Sequence, residues 1–235
     1  MSTENFQIKV SGIDVDVIKK DINNIHLAVY PPTGRVRLSS PLSMRKESLR
    51  LFIISKLGWI KKHIHNMTSQ LREPDREYIQ HESHWVEGQR YLLNIIEKEA
   101  PPKVEIRNKK YIDLYVQPGS NKGRKEMVLR EWYRERLKTQ IPEIVAKWEE
   151  KLGVQVEEWG VRQMKTKWGS CNIENRRIWL NLELAKKPKH CLDYVILHEI
   201  LHLMERHHND RFKGLLDKYM PGWTNVREEL NEVVY

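Results

Sequence analysis

The chain has 235 residues, enough for one large domain or two small ones that bury a core without disulfide bonds. Lysine and arginine number 41 against 32 acidic residues, and the formal charge of +9 permits an acidic partner such as nucleic acid without requiring one. Two cysteines are too few for a disulfide framework, residues 1–10 lack the pattern of a signal peptide, and no apolar stretch is long enough for a bilayer. We therefore expect a cytoplasmic protein with no membrane partner.

The first part of the chain has the pattern of a small sheet followed by a helix. Residues 6–40 alternate apolar and polar side chains in short runs between turn residues, which predicts an antiparallel meander. Ser43 is a suitable cap for one helix that reaches about residue 67. The polar stretch 70–82 is typical of a linker. We predict a first domain over residues 1–80, an antiparallel β-rich region with one helix.

Residues 81–235 are predicted to form a second domain, and the chain as a whole to belong to the α+β class, although one continuous compact unit also fits the pattern. A long helix over residues 124–151 should stop at Gly153. A further helix is expected from residue 189 to about residue 206, and a short one, capped by Asn209 or Asp210, should end before Pro221. The predicted strands of this domain cover residues 84–86, 91–96, 104–107, 111–116, 155–162 and 177–182.

The helix predicted from residue 189 carries the sequence His198-Glu199-Ile200-Leu201-His202. Histidines four residues apart lie on the same face of a helix, so both imidazoles can bind one metal ion. Glu199 lies about 100° further round, where its carboxylate can reach a water beside the metal instead of the metal itself. Because the flanking residues are apolar, burial of these groups is costly and a metal removes that cost. The pattern predicts a zinc-dependent hydrolase with Glu199 as general base; a structural zinc module without turnover is an alternative.

A catalytic zinc site needs a third protein ligand. In a continuous helix, His207 or His208 would lie about 14 to 15 Å along the axis from His198, so the helix must end between His202 and His208. No glycine is available for the turn, and we expect His207 or Asn209 to make it, Asn being the more tolerant of positive φ. The candidates for the third ligand, in order of preference, are His208, His207 and the carboxylates of Glu228 and Glu229.

The segments around this motif resemble the YgjP-like metallopeptidase family, which is related to the SprT and WLM groups of the zincin clan. The resemblance covers nearly the whole chain and rests on Met164-Lys165-Thr166-Lys167-Trp168-Gly169-Ser170-Cys171, Ile178-Trp179-Leu180-Asn181, Asp193-Tyr194-Val195-Ile196-Leu197-His198-Glu199-Ile200-Leu201-His202-Leu203 and His208-Asn209-Asp210-Arg211-Phe212. It implies a zincin-like metallopeptidase domain, a peptide or protein substrate, Glu199 as general base, and zinc held by His198, His202 and His208. Lys213 and Leu182-Glu183 depart from the family pattern near the expected substrate groove, which leaves the specificity open.

Four further residues are predicted at the site. In zincins an edge strand before the metal helix pairs with the extended backbone of the substrate, which makes Arg177, Trp179 and Asn181 candidate substrate-binding residues. Ordinary sheet structure explains the same strand equally well. Tyr194 lies four residues before His198 on the same face of the helix, and we expect it to pack in the core or to support that ligand.

A DNA-associated role is the second functional prediction. SprT-like relatives cleave proteins attached to DNA, and a cluster of basic residues near the motif could dock on nucleic acid. Solvated surface charge is the simpler interpretation of the same residues. The cluster consists of Lys165, Lys167, Arg176, Arg177, Lys186, Lys187 and Lys189.

Overall fold

The chain divides into two compact units, Met1–Arg72 and Glu73–Tyr235, each with a hydrophobic core of its own. The structure is a computed structural model that describes residues 4–30, 33–69 and 76–231, without the side chains of residues 66–69. The predicted linker at residues 70–82 lies partly outside these ranges. Within them, no helix combines the length and the apolar character needed to cross a membrane.

The first unit is a four-stranded sheet followed by two helices. A set of apolar side chains that point to one face of the sheet, including Val15, Val17 and Leu38, is buried against the inner faces of the helices. The elements are β1 (Glu4–Val10), β2 (Ile13–Lys20), β3 (His26–Tyr30), β4 (Arg35–Pro41), α1 (Lys46–Ser55) and α2 (Leu57–Ser69).

Two details of this unit differ from the prediction. The strand order is β1-β2-β4-β3, and β2 pairs with β4 in parallel, so the predicted antiparallel meander is wrong at this pair. Alternation determines which face of a sheet a side chain takes, but it does not determine the direction of a neighbouring strand that is distant in sequence. The predicted single helix is interrupted at Lys56, whose N–H donates to the carbonyl oxygens of Phe52 and Ile53.

The second unit begins with a sheet of the same topology. Its order is β5-β6-β8-β7, and again the outer pairs are antiparallel and the central pair is parallel. The first hairpin of each sheet turns on a positive-φ pair, Ser11-Gly12 in one and Glu87-Gly88 in the other. The arrangement therefore recurs without a repeat that is visible in the sequence. The strands are β5 (Ser83–Val86), β6 (Gln89–Glu97), β7 (Lys103–Arg107) and β8 (Tyr111–Val116).

A long helix, α3 (Lys122–Leu152), follows this sheet, as predicted. The side chain of Asn121 caps it by accepting from the N–H of Arg124, and Gly153 ends it in a left-handed conformation with φ of 66°. Its buried side chains recur at three- and four-residue intervals, which gives one apolar face along the whole helix. They are Leu129, Tyr133, Leu137, Ile141, Val145, Trp148 and Leu152.

The remainder of the second unit contains a small sheet of order β10-β11-β9 and three helices. The α+β class predicted from the sequence is confirmed. Three of these elements, β10, the 3-10 turn and α6, have no counterpart in the sequence prediction. The elements are β9 (Glu158–Arg162), β10 (Gly169–Asn172), β11 (Arg177–Asn181), a short 3-10 turn (Leu182–Lys186), α4 (Lys189–Leu201), α5 (Asp210–Tyr219) and α6 (Trp223–Asn231).

Contacts with the hairpin between β5 and β6 and with α3 hold the start and one face of α4 in position. The backbone N–H groups of Glu87 and Gly88 donate to the carbonyl oxygens of the 3-10 turn that precedes the helix. A Cβ on Gly88 would lie 2.7 Å from the ring of Pro188, so the hairpin needs glycine to approach the helix this closely. Trp148 Nε1 of α3 donates to the carboxylate of Asp193 at 2.6 Å and so holds α4 against α3.

Candidate metal centre

The metal motif lies at the carboxyl end of α4, where the helix stops. α4 ends at Leu201 and His202 caps it, so the helix is five residues shorter than the predicted end at residue 206. The N–H groups of Leu203 and Met204 bond to carbonyl oxygens three residues back, which tightens the last turn. The chain then turns away from the helix axis, as a return to the metal requires.

This turn uses no left-handed residue, so the expected positive φ at His207 or Asn209 is wrong. Asn209 is extended (φ −80°, ψ −173°), and its side chain caps α5 by accepting from the N–H of Phe212 at 3.0 Å. Glu205 stabilises the turn through its carboxylate, which accepts from the N–H of His207 and lies 3.7 Å from Arg211. A tightened helix end followed by a new capped helix redirects the chain without backbone strain.

The turn brings three imidazoles together. The ring nitrogens of His198, His202 and His208 that could act as ligands all lie within 4.8 Å of one another. Nε2 of His198 and Nε2 of His208 are 2.9 Å apart. Among the described residues, neither His207 nor Glu228 belongs to this group, and Glu229 instead lies 2.5 Å from His190.

The three imidazoles have the protonation state that a metal needs. Burial is the largest cause that lowers the pKa of each, to about 3 for His198; neighbouring imidazoles of the group add to it for His198 and His202, and Arg227 and His207 add to it for His208. Neutral rings offer nitrogen lone pairs to a cation. Nδ1 of His202 faces the carbonyl oxygen of Glu205 at 3.2 Å, which favours the tautomer whose Nε2 is free to bind. Ligand nitrogens around a tetrahedral zinc are about 3.4 Å apart, so this group fits one ion after small shifts.

Aromatic packing holds the ligand rings in place. The ring centroid of Phe212 lies 5.0, 4.9 and 4.7 Å from those of His198, His202 and His208. Tyr194 packs against His198 at 5.8 Å, and it is almost wholly buried, which agrees with its predicted supporting position. Nδ1 of His198 is buried and has no hydrogen-bond partner within the described part of the chain, so packing and the contact of Nε2 with His208 orient this ring.

Glu199 occupies a tight space beside the ligands. Its side chain is only 6% exposed, and burial raises the pKa of its carboxyl to about 8, while Lys167 acts in the opposite direction. Its neighbour on β10 is Gly169, where a Cβ would lie 2.6 Å from the Glu199 carboxylate oxygen. The glycine in Trp168-Gly169-Ser170-Cys171 therefore makes room for the predicted general base.

We expect Gly169→Ala to displace Glu199 and lower kcat/KM by at least about tenfold, with a loss of about 1–3 kcal/mol in unfolding free energy from overpacking. The matched control is Gly214→Ala on α5, where a new Cβ meets nothing within 4 Å. That change should leave activity intact and stabilise the helix by up to about 1 kcal/mol. Equal effects of the two changes on kinetics and thermal unfolding would contradict this assignment.

The buried carboxyl also predicts a pH dependence for the metal-free protein. Below pH 4.5, the ordinary pKa of a glutamate, the carboxyl is protonated in both the folded and the unfolded protein, so its raised pKa does not affect stability. Between pH 4.5 and about 8 the unfolded protein releases this proton while the folded protein keeps it, which progressively destabilises the fold. Glu199→Gln should therefore stabilise the metal-free protein by about 2–4 kcal/mol at pH 8 and by little at pH 4.5. Urea unfolding with a chelator at both pH values measures this difference, and the exposed Glu174→Gln should show none.

The ligands and Glu199 line one open pocket of about 1040 Å³. Besides α4, the strand β10 contributes to the wall of the pocket, and its residues Gly169–Asn172 all line it. β10 is the strand at one edge of the small sheet. β11 is the central strand, paired with β10 on one side and β9 on the other. The strand predicted at residues 177–182 is present as β11, but its expected position at the edge of the sheet is wrong, and the edge strand that lines the pocket is β10.

The three substrate-binding candidates on β11 are not brought to the pocket lining. Arg177 and Trp179 pack against each other, with the guanidinium 5.6 Å from the ring centroid. Asn181 is buried, and its amide nitrogen donates to the carbonyl oxygens of Met164 and Lys167 at 3.0 and 2.8 Å. Asn181 thus holds the loop that leads into β10. The sequence alone could not distinguish this structural role from substrate binding.

A family model described as YgjP-like, metallopeptidase domain, matches residues 24–233. The chain belongs to the YgjP-like metallopeptidase family. This membership places it among metal-dependent peptidases and confirms the resemblance inferred from the sequence.

Comparison with solved structures finds the metallopeptidase zymogens of Pyrococcus abyssi abylysin and Methanocaldococcus jannaschii jannalysin. The first is 20% identical and covers 38% of this chain and 87% of its own, with a TM-score of 0.34. The second is 22% identical and covers 39% of this chain and 87% of its own, with a TM-score of 0.36. Comparison with curated protein sequences gives no match.

Most of the basic residues proposed for DNA docking in this YgjP-like domain have partners nearby. Because these side chains already form hydrogen bonds or ion pairs within the protein, they are better explained as ordinary surface charge than as a surface that binds the phosphates of DNA. The engaged groups are Arg176 with the carbonyl oxygen of Gln155 (2.8 Å), Arg177 with Glu158 (3.2 Å), Lys186 with Glu183 (2.6 Å) and Lys189 with Glu87 (3.4 Å).

Proposed function

We propose that this YgjP-like domain is a zinc-dependent peptidase in which His198, His202 and His208 hold one zinc ion and Glu199 is the general base. The observation that carries the proposal is the convergence of three neutral imidazoles and one buried carboxyl in a single open pocket. Nitrogen ligands of this kind favour zinc among the common divalent metals.

A zinc ion bound there would act as a Lewis acid and lower the pKa of a water molecule beside it. The rest of the chemistry belongs to the chain. Glu199 is a stronger base than an exposed glutamate because burial raises its pKa to about 8 in spite of the opposing charge of Lys167, and a nearby divalent cation would lower that pKa further. The carboxylate can then accept a proton from water and later return it to the leaving amine.

The position of β10 as an edge strand that lines the pocket supports a peptide as the substrate. An extended peptide can add to a free strand edge through backbone hydrogen bonds, which tolerate many side chains. Because Gly169 contacts Glu199, a peptide aligned along this strand would pass beside the proposed base. In this arrangement β10, and not the strand at residues 177–182, would pair with the extended backbone of the substrate.

Cleavage profiling of a proteome-derived peptide library tests the proposal. The zinc-loaded wild type should generate new peptide termini that zinc-loaded Glu199→Gln does not. Termini that appear equally with both proteins would remove Glu199 from the mechanism. If the wild type binds zinc but produces no termini, the site is a structural zinc module.

A further inference from the structure

The pocket wall carries an excess of positive charge, and two of its cations, Arg206 and Arg227, take no part in the proposed peptidase chemistry. Three of its lining residues are exposed cations, Lys167, Arg206 and Arg227, and none of them forms an ion pair within the described ranges 4–30, 33–69 and 76–231. The carboxyl groups on the lining are the exposed Glu174 and the buried Glu199. A substrate with negative charge near the reacting bond would neutralise this excess.

Arg227, on α6, is an exposed cation that lines the same pocket as His198, His202 and His208. Burial is the largest cause that lowers the pKa of His198 and His208 and raises that of Tyr194, and the charge of Arg227 acts in the lowering direction on all three rings. Lys167 lies on a different wall, where its charge acts on Glu199. The two cations thus line the pocket from different elements, α6 and the loop before β10.

The helix that carries Arg227 is held firmly at several points. Glu229 lies 2.5 Å from His190 at the start of α4, and Trp168 Nε1 donates to Asn231 at 3.1 Å. The rings of Trp223 and Tyr194 stack with 8° between their planes. The residues that make these contacts precede and follow Arg227 on α6, so the backbone at Arg227 is held in position relative to the metal ligands. Its guanidinium remains available to bind a ligand.

We propose that Arg227 binds a substrate carboxylate near the scissile bond, so that this site selects peptides with an acidic side chain or a free carboxyl terminus at that position. The inference rests on the proposed peptidase function. A guanidinium pairs with a carboxylate through two parallel hydrogen bonds, which a lysine cannot reproduce. A solvated arginine elsewhere on the surface would give no such selection, and that difference makes the proposal testable.

The same peptide library tests the selection with wild type, Arg227→Gln and Arg227→Glu. Wild type should favour sites beside Asp or Glu, or sites a few residues from a free carboxyl terminus, and the two patterns identify the source of the carboxylate. Arg227→Gln should lose about 10- to 100-fold in kcat/KM on those sites and change little on neutral ones. Arg227→Glu should shift the preference toward Lys and Arg. Arg90→Gln, an exposed arginine on β6 outside the pocket lining, should behave as wild type.

Binding gives a readout that does not need turnover. Zinc-loaded Glu199→Gln is titrated by calorimetry with an acetylated, amidated nonapeptide with a central Glu, the same peptide with a central Gln, and the Gln peptide with a free carboxyl terminus. At least one carboxylate peptide should bind about tenfold or more tightly than the neutral one, and Arg227→Gln in the same background should abolish the difference. Equal binding of all three peptides overturns the proposal, even if the wild type proves to be a peptidase. Selective binding with no cleavage by the wild type keeps the carboxylate site and rejects the peptidase function.

Discussion

Zinc-loaded Glu199→Gln should retain its metal and lose about 10²- to 10⁴-fold in kcat on any peptide that the wild type cleaves. Glutamine has nearly the shape of glutamate, so it should fit the space beside Gly169, but it cannot accept a proton. The three imidazoles are untouched, and metal analysis should therefore give the same zinc content as the wild type. Steady-state kinetics on one defined peptide, with metal analysis of the same sample, measures both quantities.

Glu174→Gln is the matched control, because Glu174 lines the same pocket but is exposed. It should change kcat by much less than tenfold. In the wild type, kcat/KM should rise with pH along a limb that reports the deprotonation of Glu199, at a pH below the value of about 8 that holds for the metal-free site, because the bound cation favours the carboxylate. A full-strength Glu199→Gln enzyme with zinc bound would falsify the general-base assignment.

The sequence predicts the parts of this molecule that depend on local periodicity. The apolar face of α3 and its stop at Gly153 follow from helical spacing and from glycine's access to positive φ. The spacing of His198 and His202 likewise follows from one turn of helix, and the need to end α4 early follows from the length of the helix per residue. Each of these inferences uses only residues that are close in sequence.

The features that the sequence analysis misses all depend on contacts between distant residues. β10 has four residues with a glycine and two polar side chains, so it carries no alternation from which to predict a strand. The need for Gly169 appears only when α4 brings Glu199 against it. Arg227 lies on a polar helix, and nothing in its own segment indicates that it lines the same pocket as the histidines.

The third ligand gives the sharpest test of the metal centre, because the chain offers two adjacent histidines. His208→Ala should lower zinc affinity by at least about 100-fold, since loss of a direct ligand costs more than loss of the groups that only orient ligands. His207→Ala should leave affinity and activity close to the wild type, because its ring lies outside the group of three. Chelator competition and metal analysis of the two variants measure the difference.

The result can be separated from damage to the fold. His208 is exposed, so its removal should change the unfolding free energy of the metal-free protein by less than about 1 kcal/mol. Zinc binds only the folded site and should raise the melting temperature of the wild type and of His207→Ala, but not that of His208→Ala at the same zinc concentration. Unchanged zinc content in His208→Ala would mean that a side chain other than His208 completes the site. Loss of zinc in His207→Ala alone would show that the turn after α4 presents the other imidazole to the metal.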